Sequence, residues 1–255
     1  MDKKRIAIVT GASGGLGREF VKLLCEKENI DYVWAIGRNK NKLDSLKAEF
    51  GQKIISIAFD LTDRTKINML DEMLKDYNLV YLVNNAGYGK FCSYGDLSVE
   101  QSLDMIDLNV NAVVGLCVAG LKHMESGAKI INIASQASFQ PLPYMNIYAA
   151  TKSFVRSYTR ALNVELRDRN ISATAVCPGW MNTPFLSTGN IGAKKAPSNF
   201  LFPKGTDKVA KKAVKDADKG KDISVYSFPV KFQHVGAKLL PEKLIMKIWS
   251  FIQHF

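Results

Sequence analysis

The sequence predicts an α/β fold: a doubly wound parallel sheet of about seven strands, with helices on both faces. Three observations predict it. Short runs rich in Ile and Val alternate with amphipathic segments along most of the 255 residues. The first run ends in a glycine-rich turn, Thr10-Gly-Ala-Ser-Gly-Gly-Leu-Gly17. No linker, repeat or low-complexity tract divides the chain, and 47% hydrophobic residues are enough for one large core.

The elements follow in order. Arg5–Thr10 is a buried strand. Leu16–Glu28 carries Leu16, Phe20, Leu23 and Leu24 at helical spacing. Tyr32–Ile36 is a second strand and Lys42–Phe50 a short helix. Ile54–Phe59 is a third strand, Arg64–Lys75 a helix, and Leu79–Val83 a fourth strand. Val99–Met124 reads as one long helical region. Lys129–Ala134 is the fifth strand, Tyr148–Asp168 a helix, Ser172–Cys177 the sixth strand, Asp207–Asp218 a helix and Ile223–Tyr226 the last strand. Residues 1–228 form the main domain and 229–255 a C-terminal helical extension. In such sheets ligands bind beyond the C-terminal strand ends, so the chemistry is expected there.

Composition excludes several classes. Cys25, Cys92, Cys117 and Cys177 form no CxxC pair and sit in apolar stretches, which reads as reduced, mostly buried thiols. His123, His234 and His254 are too dispersed for a metal site or a Ser-His-Asp triad. The charged start of the chain runs through Ile6–Val9 into a glycine turn, unlike a signal peptide, and the longest apolar stretch, near Ala112–Leu121, is short of a membrane span. A cytoplasmic location is expected. Much of the net charge of +11 lies in residues 194–255, where 13 Lys face 5 Asp or Glu (13 − 5 = +8). With no Arg there and no aromatic-basic motif, a solvated lysine face is expected rather than nucleic-acid binding.

The turn after the first strand suits a dinucleotide. Glycines there let the backbone of Gly11, Ser13, Gly14, Gly15, Leu16 and Gly17 approach a pyrophosphate at a helix N-terminus. The second strand ends at Gly37-Arg38. No carboxylate stands there to bind the ribose hydroxyls of NAD, whereas Arg38 offers a forked donor to a 2′-phosphate, so NADP is expected over NAD. Asp60-Leu61 lies where an adenine edge would sit, although Asp60 could equally cap the next helix.

Tyr148 and Lys152 are four apart, on one helix face. With 9 Tyr in a Lys-rich chain, one such pair is expected by chance. Its company carries the argument: Asn84-Asn-Ala-Gly87, Leu108-Asn109-Val110, Asn132-Ile-Ala-Ser135 and Cys177-Pro-Gly-Trp-Met-Asn-Thr183. Over roughly residues 5–228 these motifs, in this order, resemble the short-chain dehydrogenase/reductase family. The resemblance implies a Rossmann-type fold and hydride transfer between NADP(H) and a carbonyl or alcohol. It implies that Gly11, Gly15 and Gly17 form the glycine turn, that Asn85, Ala86 and Gly87 lie beside the adenine-ribose, and that Pro178, Gly179 and Thr183 hold the nicotinamide. Asn109, Ser135, Tyr148 and Lys152 match the catalytic tetrad. Ser135 would hold the substrate oxygen, Tyr148 would exchange its proton, Lys152 would activate Tyr148 and bind the ribose, and Asn109 would hold a connecting water. Gly14 departs from the basic residue of many NADP-preferring members. A phenolate at neutral pH costs roughly 4 kcal/mol, and a cation about 4 Å away contributes on the order of 4 kcal/mol.

The substrate pocket is expected between Gln136–Asn146, Trp180–Phe202 and the C-terminus, with Ser135, Gln136, Tyr148, Trp180 and Phe185 touching substrate. Phe139, Leu142, Tyr144, Met145, Met181, Leu186, Phe200, Leu201 and Phe202 supply an apolar lining suited to a bulky carbonyl, or pack a lid onto its own domain. Past Pro241, Leu244, Ile248, Phe251, Ile252 and Phe255 form a helical stripe, a tail similar to the hydroxysteroid and long-chain acyl branches of the family. Covering the pocket or packing on a second subunit is favoured over lying on a membrane surface. Family resemblance suggests a homodimer or homotetramer through helices around 105–125 and 148–168. Two alternatives stay open: a non-catalytic NADP-binding sensor, and a peripheral membrane reductase of lipid carbonyls.

Overall fold

The computed structural model describes residues 3–190, 193 and 195–255; Ile191, Gly192 and Lys194, within the expected pocket stretch or the lysine-rich region, lie outside the described residues. Seven strands form one sheet: Lys4–Thr10 (β1), Tyr32–Gly37 (β2), Ile54–Ala58 (β3), Tyr77–Asn84 (β4), Lys129–Ile133 (β5), Ser172–Val176 (β6) and Ile223–Ser224 (β7). Their order is β3-β2-β1-β4-β5-β6-β7, and neighbouring pairs run parallel. Ten α-helical segments are described: Gly15–Cys25 (α1), Lys40–Phe50 (α2), Arg64–Met73 (α3), Val99–Ile106 (α4), Ala112–Leu121 (α5), Asn146–Glu165 (α6), Pro184–Gly189 (α7), Thr206–Asp218 (α8), Phe228–Leu239 (α9) and Glu242–Ile252 (α10).

The strands read as continuous apolar runs because both faces of the sheet are covered. On one face, Phe20 and Leu24 of α1, Leu43 of α2 and Val209 and Ala213 of α8 pack over Val9 and Val33. On the other, Ile67 of α3, Leu116 of α5 and Val155 and Leu162 of α6 pack over Ile8, Leu82 and Ile130. A buried polar tie sits among the apolar contacts of that second face. Asn84 donates to Asn132 (2.8 Å), and Asn132 donates to Thr159 Oγ1 (2.9 Å), joining β4, β5 and α6. Strand order reverses at β1, whose neighbours are β2 and β4, and the crevice opens at that switch.

The long helix differs from its expected form. It spans Val99–Leu121 and contains a π-helical turn at Asp107–Asn111. Helical periodicity is blind to one wide turn, but the turn brings Asn109 fully into the interior. The 23 residues are long and apolar enough to cross a bilayer by composition. They instead pack against α3, β4 and α6. The extension also differs. It forms two helices, and α9 opens at Phe228-Pro229 and inserts Val230 into the main core. Phe255 lies beyond α10, off the expected stripe, with its ring 3.9 Å from that of Tyr144.

Candidate active site

The first helix begins differently from its neighbours. Asn39, Asp63 and Ser98 cap α2, α3 and α4 with side-chain oxygens. Asp63, not Asp60, is therefore the cap of α3. At α1 the cap position is Gly14, no side chain satisfies the backbone N–H groups, and no acid occupies the first turn. Those free donors and the positive end of the helix dipole face the cleft, the arrangement an anionic pyrophosphate needs.

The turn leading there is held by packing. Gly11 (φ +61°) and Gly15 (φ +52°) adopt left-handed backbone that other residues rarely tolerate. A Cβ on Gly17 would stand 2.1 Å from the Gly11 carbonyl oxygen. Thr10 Oγ1 accepts from the backbone N–H groups of Asn85 (3.0 Å) and Ala86 (2.9 Å). The Asn85 side chain donates to the carbonyls of Thr10 (3.0 Å) and Gly11 (3.1 Å). Asn85 thus ties the glycine turn to the end of β4.

Two adjoining cavities run across the strand ends. One, of about 510 Å³, brings together the glycine turn, Ser135, Tyr148, Lys152 and Pro178–Gly179. The other, of about 380 Å³, shares Gly11, Ser13 and Arg38 with it and adds Asp60 and Leu61. Among the expected cofactor and catalytic residues, Gly17 and Asn109 line neither cavity. Gly17 acts from behind the turn. The Asn109 amide accepts from Tyr88 N (3.1 Å) and donates to Tyr88 O (2.9 Å) and Thr151 Oγ1 (3.2 Å). Gly87 lets Asn109 and Lys152 come close, because a Cβ there would meet Asn109 Oδ1 at 2.8 Å and Lys152 Nζ at 3.4 Å. The Asp60 carboxylate accepts from Thr62 N (3.0 Å) and Thr62 Oγ1 (2.8 Å), closing a local turn beside the second cavity. Arg38 is exposed, and the arginine ion pairs among the described residues are those of Arg18 and Arg160.

The catalytic end is lined with aromatic rings. Ser135 ends β5, and its Oγ accepts from Ala137 N (3.1 Å). Tyr148 and Lys152, in the first turns of α6, are both buried. Burial pushes the Tyr148 phenol up to about 12, while a hydrogen bond with Ser135 pulls the other way. Burial lowers Lys152 to about 8. Lys152 Nζ donates to the Ile133 carbonyl (2.8 Å) and lies 5.9 Å from the Tyr148 ring centre. Burial thus favours the protonated phenol at Tyr148.

Trp180 and Phe185 line the same cleft as Tyr148. Phe91, which the sequence reading passed over, is fully buried between them, with ring centres 5.7 Å from Tyr148, 5.7 Å from Phe185 and 6.4 Å from Trp180. Its signal was its place four residues after Gly87. Of the expected lining, Met181 and Leu186 reach this cleft. Leu142, Leu201 and Phe202 line a separate apolar cavity of about 260 Å³, joined to the cleft through Gln136, Gly179 and Trp180. Phe139 instead stacks on His234 at 4.5 Å, and Met145 is core.

A family model described as short chain dehydrogenase matches residues 5–192. An uncharacterized oxidoreductase of Staphylococcus epidermidis is 30% identical over 200 residues, 76% of this chain and 85% of that protein. A short-chain dehydrogenase from Sphingobium yanoikuyae, solved in complex with NADPH, superposes with a TM-score of 0.77 at 23% identity, covering 95% of each chain. A short-chain dehydrogenase/reductase from Burkholderia phymatum, solved with NAD, superposes with a TM-score of 0.77 at 21% identity, covering 93% of this chain and 95% of that one.

Proposed function

Because the chain belongs to the short-chain dehydrogenase/reductase family, whose members are oxidoreductases acting on CH–OH and C=O groups, we propose that it is an NADP(H)-dependent reductase of a bulky apolar carbonyl. One observation carries the reading: Ser135, Tyr148 and Lys152 meet the uncapped start of α1 in a single cleft lined by aromatic rings. The residues fit a dinucleotide. Open N–H groups and left-handed glycines suit its pyrophosphate, Pro178, Gly179 and Thr183 would hold its nicotinamide end, and Asp60 and Leu61 would hold its adenine end. The bound cofactor supplies or accepts a hydride.

The chain's own groups do the rest. Ser135 hydrogen-bonds the substrate oxygen and stabilises charge developing there. Tyr148 donates its Oη proton to that oxygen in reduction. Lys152 stabilises the phenolate left behind and binds the ribose hydroxyls. Asn109 holds the end of β4 against α6 and orders water toward Lys152.

The reading carries a pH dependence. Tyr148, pushed up to about 12, stays protonated across the assay range, whereas Lys152, lowered to about 8, loses its charge as pH rises past that value. The reductive kcat/KM is expected to be flat at neutral pH and to fall about tenfold per pH unit above about 8. A profile that stays flat to pH 10 would remove Lys152 from the reaction.

Arg38, which has no ion pair among the described residues and lines both cavities, supports NADP. Arg38→Ala is expected to cut kcat/KM with NADPH by about 10- to 100-fold, as one or two charge-assisted hydrogen bonds imply, and to leave NADH use nearly unchanged. The decisive assay is a panel of steroid ketones, 3-oxoacyl thioesters and small aldehydes with each cofactor. Oxidation of NADPH by a bulky ketone supports the proposal; cofactor binding with no turnover anywhere refutes it. Exposed Val118 on α5 and Phe154 and Val164 on α6 support association of copies through those helices.

A further inference from the structure

The two C-terminal helices turn apolar residues toward solvent. On α9, Phe228, Phe232, Val235 and Leu239 are each between 54% and 79% exposed. Their spacing of four, three and four places them on one narrow stripe. A helix that serves only a core puts such a stripe inward, yet Val230 is the residue of α9 that is buried. On α10, Leu244, Ile248 and Phe251 repeat the pattern and are also exposed. Each is a run of exposed apolar residues on one helix face, rather than the scattered single residues normal for soluble proteins.

The charges around the stripes are one-sided. Lys231 and Lys238 flank the stripe of α9, and Lys243 and Lys247 flank that of α10; all four are exposed. From 228 to 255, Glu242 is the sole acidic residue. A two-fold interface between copies would bring this patch against itself and set lysines against lysines. A surface of negative charge with an apolar interior meets both features at once.

We propose that α9 and α10 seat the protein on an anionic lipid bilayer, with the α9 stripe dipping into the acyl boundary and the lysines among the headgroups. The apolar cavity of about 260 Å³ lies under the same helices. Ile245 and Ile248 of α10 and Val230 of α9 wall it, exposed Leu201 and Phe202 also line it, and Trp180 lines both it and the catalytic cleft. Docking leaves the cavity beside the lipid. That lipid-dissolved carbonyls are the substrates rests on the reductase reading above; the docking itself does not.

The test is flotation of the full-length protein, without substrate, on vesicles of phosphatidylcholine alone or mixed with phosphatidylglycerol. At low salt the protein should bind the anionic vesicles and not the neutral ones, and raising salt tenfold should release most of it. Lys231→Glu with Lys238→Glu should weaken binding by roughly fivefold or more per lysine. Phe228→Ser with Phe232→Ser should weaken it at least about tenfold while leaving the melting temperature and elution volume unchanged. Failure of the native protein to float with anionic vesicles at low salt overturns the proposal. So does floating that ignores the Phe pair. A shift of the Phe variant to a smaller species in solution assigns the stripe to a second copy and also overturns it. None of these outcomes depends on turnover, so the reductase reading is judged separately.

Discussion

Tyr148→Phe is expected to lower kcat for carbonyl reduction by about 10²- to 10⁴-fold, the range for loss of a positioned general acid. The substitution is a clean one here. The Tyr148 ring packs between Phe91 at 5.7 Å and Phe185 at 5.6 Å, and a phenylalanine ring keeps both contacts. What disappears is the hydroxyl and its hydrogen bond with Ser135. Dinucleotide affinity should stay within about threefold, because the pyrophosphate cradle and Arg38 are untouched. Steady-state rates with a substrate from the carbonyl panel, a titration of NADPH and a thermal melt read the three effects apart. Turnover near that of the native protein would mean that another group delivers the proton.

Gly17→Ala is expected to reduce NADPH affinity by roughly 100-fold and to lower stability by about 1–3 kcal/mol, the usual cost of forcing an atom into a full site. The added methyl would stand 2.1 Å from the Gly11 carbonyl oxygen and 2.6 Å from Asn85 Nδ2. The carbonyl oxygen belongs to the backbone, so no rotamer relieves the clash. Either α1 moves off the turn or the turn opens, and both displace the N–H groups that face the pyrophosphate. Gly14→Ala is the control. Gly14 is extended (φ −176°), and a Cβ there has open space around it, so binding and melting should change little. Fluorescence titration and circular dichroism melts of both variants check the contrast. Native-like affinity in Gly17→Ala would show that the close approach is dispensable.

That contrast also shows what the sequence could and could not carry. Strands were legible because both faces of the sheet are covered, so β1 through β6 read as apolar runs. The glycine turn was legible as chemistry, yet nothing in the spacing of Gly14 and Gly17 separates an open position from one jammed against a carbonyl. Asn85 stood in a motif beside the ribose; its side chain is spent on bracing Thr10 and Gly11. The Tyr148–Lys152 register was readable on one helix face, but the anchoring of the lysine was not, because it is held by the Ile133 carbonyl on a strand. The wide turn at Asp107–Asn111 and the short α7 leave no periodic signature. On α9 the apolar stripe was missed altogether, and a stripe of this kind does not say which side of it is wet.

Strand order has a consequence for how the chain is made. As the polypeptide leaves the ribosome, β1 can pair with β2, and β2 with β3, while β1's other edge waits for Tyr77–Asn84. After β4, each strand joins the one just before it, so the sheet grows first one way and then the other from β1. Until β4 emerges, the N-terminal third carries an apolar, unpaired edge, the kind of surface that recruits chaperones or neighbouring nascent chains. The switch that creates the ligand crevice is thus also the point at which synthesis leaves the molecule most open.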